Sequence, residues 1–269
     1  MADISAKDVQ SLRKATGVGM MDAKRALVEN DGDFEKSVTW LREKGLSKAA
    51  ERSDRENTQG AVTIAREGNT AALVELNSET DFVAKSPEFN ALLEKLAAAV
   101  VADGEGAVAA MQDEVDDLRI TLKENIAVGR VVCFEAPEGA VLDTYVHKPA
   151  GWGVNAVMVE LEGGDQTSDV AALARELSLH IAFSKPQWLS RDEVPAERVA
   201  EERQVLESIT RNEGKPEAAL PKIVEGRLKG FFKEHVLLDQ DFVKDTKVSI
   251  AQLLGDATII RFAQVVIGR

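Results

Sequence analysis

The spacing of apolar residues over positions 1–45 predicts a small module of three short helices. Ser5 and Asp8 have the spacing of a capping box at the start of the first helix. The second helix is expected to begin at about Met21, and the third is expected to end at Gly45. A core built from so few residues is small, so we expect the module to depend on a neighbour or a partner for part of its stability.

A charged segment, LSKAAERSDRENTQ at residues 46–59, separates this module from strand-like runs. Its composition is typical of a linker or of a solvated helix extension, and the sequence leaves both open. The runs Ala61–Ala65 and Ala71–Leu76, separated by Glu67-Gly68-Asn69, predict a β-hairpin. Ser86-Pro87 then has the residues of a helix start, with Ser as the cap and Pro at the first helical position.

An internal repeat organises the middle of the chain. The pattern GAV followed by AALVEL in residues 60–76 recurs as GAV followed by AVMVEL in residues 139–161. A short polar segment and an Ala/Leu-rich helix follow each copy, at residues 87–102 and 169–183. The chain therefore contains a duplicated unit of hairpin and helix, and residues that only the shared architecture requires should appear in both copies.

The remaining apolar patterns complete the predicted fold. Residues 195–234 predict an antiparallel helical hairpin, and residues 258–267, TIIRFAQVVI, predict a terminal strand. The predicted class is α+β: a three-helix N-terminal module, then a duplicated β-hairpin/helix core with an inserted helical hairpin. The expected division is 1–45 for the module, 46–59 for the linker, 60–138 for the first core subdomain, 139–194 with 235–269 for the second, and 195–234 for the hairpin.

The charge and the cysteine content of the chain limit which binding partners and which cellular compartment are expected. The 269 residues hold 33 Lys and Arg against 46 Asp and Glu, a net charge of −13, which disfavours nucleic acid and anionic membranes as direct partners. A single cysteine, Cys133, allows no internal disulfide and no multi-cysteine zinc site. The N-terminal sequence MADISAKDVQ lacks the apolar stretch of a signal peptide. We therefore expect a cytoplasmic protein.

Motifs of catalysis and cofactor binding are absent from the sequence. It contains no GxxxxGK[ST], no GxGxxG after a strand, no HExxH and no GxSxG. The three histidines, His147, His180 and His235, are too scattered to suggest a metal site or a catalytic triad. Cys133 lies in an apolar run and is interpreted as a small buried hydrophobe. We predict no catalytic residue, no metal site and no cofactor.

The connector between strand and helix in the first repeat is unusual. It reads NSETDFVAK over residues 77–85, whereas the second copy makes the same connection with EGGDQT at residues 162–167 and has no aromatic residue there. The shared architecture therefore does not require Phe82. Two alternatives stay open: Thr80 caps a short turn while Phe82 and Val83 pack under the sheet, or Phe82 protrudes as a contact for a partner.

The motif Thr80-Asp81-Phe82-Val83, set in LNSETDFVAKSPEF, closely resembles bacterial elongation factor Ts. The N-terminal RKATGVGMMDAKRALVENDGDFEKSVTWLREKG is similar to the ubiquitin-associated-type three-helix module of that family. HIAFSKPQWL and EGRLKGFFKEHVLLDQDFVKDTKVSIAQLL are similar to its carboxy-terminal half. The resemblance covers nearly the whole chain in the right order.

The resemblance implies a guanine-nucleotide exchange factor in translation elongation. Such a factor binds the GDP complex of the GTPase elongation factor Tu, displaces Mg²⁺ and promotes release of GDP, without covalent chemistry and without a cofactor of its own. The residues that the family associates with displacing Mg²⁺ correspond here to Thr80, Asp81, Phe82 and Val83. A non-catalytic binding module or scaffold is the alternative function.

The resemblance also implies contact residues outside this motif. The contact surface for elongation factor Tu would involve Leu12, Gly19, Met20 and Met21 in the N-terminal module, and His147 in the second repeat. The hairpin of residues 195–234 resembles the coiled-coil and dimerisation region of the family, so a homodimer within the complex is expected. Some members continue with a further helix after the position of Gly268-Arg269, and its contacts are not carried over to this chain.

Overall fold

The computed structural model describes residues 4–163 and 169–268, with residues 46–50 described by their backbone. Its contacts divide the chain into two compact units. The first comprises the described residues of Met1–Phe134, Val146–Asn155 and Val265–Arg269, and the second those of Glu135–Tyr145 and Ala156–Gln264. Both units contain helices and strands, so the predicted α+β class is confirmed.

The chain begins with the predicted helices α1 (Ala6–Thr16), α2 (Met20–Glu29) and α3 (Phe34–Ala50). The predicted capping box at Ser5 is present. The predicted end of the third helix at Gly45 is wrong, because α3 continues to Ala50 and so includes the first residues of the predicted linker. Gly45 serves a close contact instead, since a Cβ there would lie 2.7 Å from a side-chain carbon of Ile120.

The rest of the first unit forms a sheet covered by helices. Its elements are β1 (Gln59–Glu67), β2 (Thr70–Ser78), α4 (Asp81–Ala84), α5 (Pro87–Asp103), α6 (Ala107–Ala110), α7 (Gln112–Leu122) and β3 (Ala127–Glu135), with strand order β1-β2-β3. β1 and β2 pair antiparallel from Gln59 opposite Ser78 to Glu67 opposite Thr70. The intervening turn places Gly68 at φ 57°, a conformation that favours glycine. The predicted hairpin is confirmed.

The helix α5 supplies much of the core of the first unit. Ser86 caps it and Pro87 occupies its first turn, as the sequence predicts. Its apolar side chains pack with those of the hairpin, of α7 and of the segment after α7: Ala61, Ala72, Val74, Leu76, Phe89, Leu93, Leu96, Val100, Val115, Leu118 and Ile126. Cys133 in β3 packs at the edge of this cluster and is half-buried rather than buried.

The helices α1, α2 and α3 have a small core of their own, made by Val9, Leu12, Ala23, Ala26, Leu27 and Leu41. They also belong to the first unit, where α3 contacts α7. Arg42 of α3 pairs with Asp113 at 2.9 Å and with Asp117 at 3.6 Å. The small core of the module is thus supplemented by contacts with its neighbour, while the division into five segments stays a prediction.

The remaining elements include a second sheet and the predicted helical hairpin. They are β4 (Val141–His147), β5 (Asn155–Gly163), α8 (Val170–Ser184), α9 (Ala196–Asn212), α10 (Leu220–His235), β6 (Asp241–Phe242), β7 (Asp245–Ser249), α11 (Ile250–Leu254) and β8 (Ala257–Val266). The order of strands in the second sheet is β4-β5-β8. In the second repeat, as in the first, a helix follows the second strand of the repeat: α8 comes after β5 along the chain. The connector at residues 162–167 lies partly outside the described residues.

The hairpin of α9 and α10 is antiparallel, because an earlier residue of α9 meets a later residue of α10. The guanidinium carbon of Arg198 lies 5.5 Å from the centre of the Phe231 ring, whereas Arg203 pairs with Glu225. Apolar contacts at the base of the hairpin join Leu228 and Phe231 to Trp188. Val205 and Ile209 of α9 stay exposed.

His180 of α8 is fully buried, and both of its ring nitrogens have partners. The backbone N–H of Val243 donates to Nδ1 at 3.3 Å, so Nε2 carries the proton and donates to Oε1 of Gln240 at 2.9 Å. This arrangement requires a neutral imidazole. Burial lowers the pKa of His180 below its ordinary value, against the opposing effect of the Gln240 hydrogen bond.

We expect the free energy of unfolding to fall as the pH falls below about 6.5, the ordinary histidine pKa, because the unfolded chain then binds a proton that the folded chain does not. His180→Gln should make this decline shallower, by up to about 1.4 kcal/mol per pH unit. Urea unfolding between pH 7 and pH 5 measures both slopes. Equal slopes for the wild type and His180→Gln would contradict this prediction.

Candidate functional site

The segment Thr80–Val83 forms a single helical turn between two larger elements. β2 ends at Ser78, and Thr80 caps α4, accepting a hydrogen bond on Oγ1 from the N–H of Val83 at 3.4 Å. Its carbonyl oxygen also accepts from the N–H of Ala84 at 3.3 Å. Ser86 then caps the following helix, α5. Two successive caps therefore define the path of the chain around this turn.

The side chains of this turn face in opposite directions. Ala84 is buried, and Val83 packs against the core of the first unit. Phe82 is 81% exposed. Both alternatives that the sequence left open are therefore partly right: Val83 packs inward, whereas Phe82 protrudes. An apolar ring held in solvent on an anchored turn is available for contact with another protein.

A carboxylate from a distant part of the chain holds the entrance to the turn. Glu124, which follows α7, accepts hydrogen bonds from the backbone N–H groups of Glu79 at 3.0 Å and Thr80 at 3.1 Å. It also accepts from the hydroxyl of Thr80 at 2.6 Å. The carboxylate of Glu79 in turn accepts from the N–H of Asn125 at 2.7 Å. Reciprocal bonds thus join residues 79–80 to residues 124–125.

Asp81 and Lys85 form an ion pair across the turn, at the i,i+4 spacing of a helix. The hydrogen bond from Lys85 lowers the pKa of Asp81 below its ordinary value, so Asp81 is ionised at neutral pH. The ammonium of Lys85 also lies 4.6 Å from the centre of the Trp152 ring and 5.9 Å from that of Phe82. Asp81 therefore fixes a cation close to the exposed ring.

The loop after His147 reaches the same turn through Trp152. The carbonyl oxygen of Gly153 accepts from the N–H of Val62 in β1 at 3.0 Å. A Cβ at position 153 would lie 1.9 Å from the carbonyl oxygen of Val62, so this approach requires glycine. His147 is exposed at the end of β4, and its carbonyl oxygen accepts from the N–H of Val154 at 3.0 Å. The loop that His147 begins is therefore docked beside the Phe82 turn.

Of the four contact residues predicted in the N-terminal module, three are exposed and one is buried. Gly19 is exposed at the start of α2, and the next two side chains, Met20 and Met21, are 57% and 72% exposed. Leu12 is completely buried in the core of the module. Leu12 thus supports the helix that carries the methionines, while the methionines form an exposed apolar patch.

Residues suited to metal chemistry are not clustered. Across residues 4–163 and 169–268, no group of three or more His, Cys, Asp or Glu side chains is arranged to hold a metal ion. Nor does this part of the chain contain a helix with the length and apolarity needed to span a bilayer. What the site offers is an apolar contact surface, with Phe82 at its most exposed point.

Comparison with known proteins assigns the chain to a family. The sequence model described as Elongation factor TS matches residues 79–269. Elongation factor Ts of Clavibacter michiganensis subsp. michiganensis is 44% identical over 285 aligned residues, covering 100% of both chains. The protein of the same name from Deinococcus deserti is 41% identical over 273, covering 97% of this chain and 99% of its own. This chain belongs to the elongation factor Ts family.

The match to the elongation factor Ts model includes the whole Phe82 turn, because it begins at Glu79. The N-terminal module lies outside that model match but inside the alignments with full-length elongation factor Ts proteins, such as that of Nocardioides sp., 45% identical over 283 residues with both chains covered completely. Family membership makes this chain a protein of translation elongation.

Several residues around the turn were not predicted from the sequence. Glu124 and Asn125 are more than 40 positions from the residues they hold, so no local pattern connects them to Thr80. Trp152 reaches the turn through a loop that carries no helical or strand periodicity. Lys85 was not predicted either, although its spacing from Asp81 is the spacing of helical ion pairs and is a signal that could have indicated it.

Replacing the exposed ring should leave the fold intact. We expect Phe82→Ala to change the unfolding free energy by less than about 0.5 kcal/mol, the usual range for an exposed position. Phe89→Ala, which empties a completely buried site on the next helix, should cost about 3–5 kcal/mol. Urea unfolding of both variants measures the difference. A loss of several kcal/mol in Phe82→Ala would show that the ring contributes to the core.

Proposed function

We propose that this protein is a guanine-nucleotide exchange factor that binds elongation factor Tu·GDP, displaces Mg²⁺ and promotes GDP release. Membership of the elongation factor Ts family supports the exchange function. The proposal that the protein displaces Mg²⁺ is supported by the exposure of Phe82. Its side chain is 81% exposed, on a turn whose other side chains are anchored. No covalent step is involved, so the protein acts only through binding energy.

The exchange follows from reciprocal coupling between two binding equilibria. A protein that binds the nucleotide-free GTPase more tightly than its GDP complex weakens GDP binding by the same free energy. Each 1.4 kcal/mol of that difference corresponds to a factor of ten in the dissociation constant. Contacts made equally in both states contribute affinity for the GTPase but no exchange.

Phe82 is suited to provide such a difference. Burying a phenylalanine side chain yields roughly 1.5–3 kcal/mol, so a ring that is buried only when the GTPase has opened favours that state by about 10- to 150-fold. In the proposal Phe82 enters between partner helices, while Thr80, Asp81 and Val83 fix the direction of approach. Entry of the ring moves the elements of the GTPase that hold Mg²⁺. Because Mg²⁺ normally neutralises the phosphates, its displacement weakens nucleotide binding.

The N-terminal module and the loop of the second repeat supply further contacts in this proposal. Met20 and Met21 form a flexible apolar patch beside Gly19, and Leu12 maintains the helix packing beneath them. His147 lies at the start of the loop that docks beside the turn. These contacts hold the GTPase in both nucleotide states and so determine affinity more than exchange.

Removal of the Phe82 ring should slow catalysed exchange. We expect Phe82→Ala to reduce the maximal rate of fluorescent GDP release from elongation factor Tu by at least tenfold, because the wedge contact is lost. Phe183→Ala is the matched control, since Phe183 is 73% exposed and lies outside the proposed contact surface. Binding without any acceleration of GDP release by the wild type would instead support a non-catalytic binding module.

Substitution of the methionines should weaken binding without slowing the exchange step. We expect Met20→Ala or Met21→Ala to weaken the complex by about 1–3 kcal/mol, in the range of interface anchors, and to leave the stability of the protein unchanged. Leu12→Ala should instead lower the unfolding free energy by about 2–5 kcal/mol, because it empties a buried site. Titration calorimetry and urea unfolding distinguish these effects. Unaltered affinity in both methionine variants would contradict the proposed patch.

A further inference from the structure

The carboxylate of Glu124 accepts a set of hydrogen bonds that the proposed exchange does not itself require. α7 ends where Lys123 adopts a left-handed conformation at φ 61°, and this reversal directs the next residue towards the turn before α4. Glu124 there accepts from two backbone N–H groups and one hydroxyl, all within 3.1 Å. These are the bonds of Glu79 and Thr80 at the entrance to the Phe82 turn.

The turn depends on such outside support because of its length. α4 comprises Asp81–Ala84, which is one helical turn, and an isolated helix of that size does not persist in water. Its cap, Thr80, is half-buried and is itself held by Glu124 through its N–H and its hydroxyl. The hydroxyl of Ser78 donates to the carbonyl oxygen of Thr80 at 3.0 Å, whereas the N–H and the hydroxyl of this cap both donate to the Glu124 carboxylate.

The support is itself anchored in the first unit. Asn125 is 5% exposed, and its Nδ2 donates to the carbonyl oxygens of Arg55 at 2.6 Å and Ser53 at 3.1 Å. Its N–H donates to Glu79, and Arg55 pairs with Glu79 at 3.5 Å. Residue 126 continues into the buried core. Glu124 is thus continuous with a segment that is hydrogen-bonded into the first unit, and its carboxylate binds the entrance of a one-turn helix.

We propose that Glu124 is a positioning residue for exchange, holding the Thr80 turn in one conformation in the free protein so that Phe82 is presented before the partner arrives. This inference rests on the proposed role of Phe82. Glu124 does not touch the GTPase in this scheme. It removes the ordering cost that would otherwise reduce the fraction of molecules able to insert the ring.

The test combines amide hydrogen exchange of the free protein with fluorescent GDP release from elongation factor Tu. In Glu124→Ala we expect the amides of Glu79, Thr80 and Val83 to exchange at least tenfold faster, with the melting temperature nearly unchanged. The maximal rate of GDP release should fall about tenfold, while the half-saturating concentration changes less than twofold. Glu124→Gln, which retains one accepting oxygen, should lie between these values and the wild type.

A double variant separates positioning from a general structural effect. If Glu124 acts through Phe82, adding Glu124→Ala to Phe82→Ala should slow GDP release no further. Glu114→Ala is the matched control, because Glu114 lies on α7 and pairs with Lys95 at 2.6 Å, away from the turn. It should match the wild type in both measurements.

The outcomes distinguish this inference from the proposed function. Unchanged protection of the turn amides in Glu124→Ala, or equal slowing by Glu124→Ala with and without the Phe82 ring, would overturn the positioning role. Normal exchange by Phe82→Ala would overturn the role of the ring instead. If Glu124→Ala fails to fold, Thr80→Val removes one donor to the same carboxylate at similar volume, and wild-type amide protection and release rates in that variant would count against the inference.

Discussion

The presentation of Phe82 depends on one constraint: the turn that carries it is too short to hold its own shape. A helix of one turn makes few internal hydrogen bonds for the backbone entropy it loses. Its order comes from Glu124 at its entrance, Val83 in the core beneath it and the ion pair of Asp81 with Lys85 across it. Each contact restricts the backbone and leaves the aromatic ring in solvent.

The duplicated architecture shows which features belong to the scaffold. Glu75 of β2 and Glu160 of β5 occupy the same place in the two copies, in central strands of sheets with matching order. Their partners differ: Glu75 accepts from the backbone N–H of Arg130 at 2.9 Å, whereas Glu160 pairs with Arg261 at 2.7 Å. At this position the repeat therefore preserves the strand, the acidic residue and an arginine partner on the third strand, but not the atom that donates to the carboxylate. Details outside the backbone pattern can differ between the copies, as the two connectors do in sequence.

Sequence patterns predicted the features that depend on neighbours along the chain. The caps at Ser5 and Ser86 and the β1–β2 hairpin follow from local spacing, and the structure confirms them. The predicted end of α3 at Gly45 was wrong because that glycine serves a tertiary contact with Ile120. The exposure of Phe82 could not be decided from the sequence. It depends on the direction of a turn fixed by Glu124, and periodicity does not report bonds between segments so far apart.

The position of Lys85 beside Phe82 is compatible with release of the ring to a partner. A cation–π contact at an exposed site is worth about 0.5–1 kcal/mol, and the 5.9 Å separation here is at the outer limit of such contacts. Burial of the ring in a partner yields roughly 1.5–3 kcal/mol, so the ring can leave the ammonium with a net gain. Asp81 and Trp152 keep Lys85 in place when it does so. The free protein therefore retains an ordered turn while the energy of burying the ring stays available for the proposed exchange.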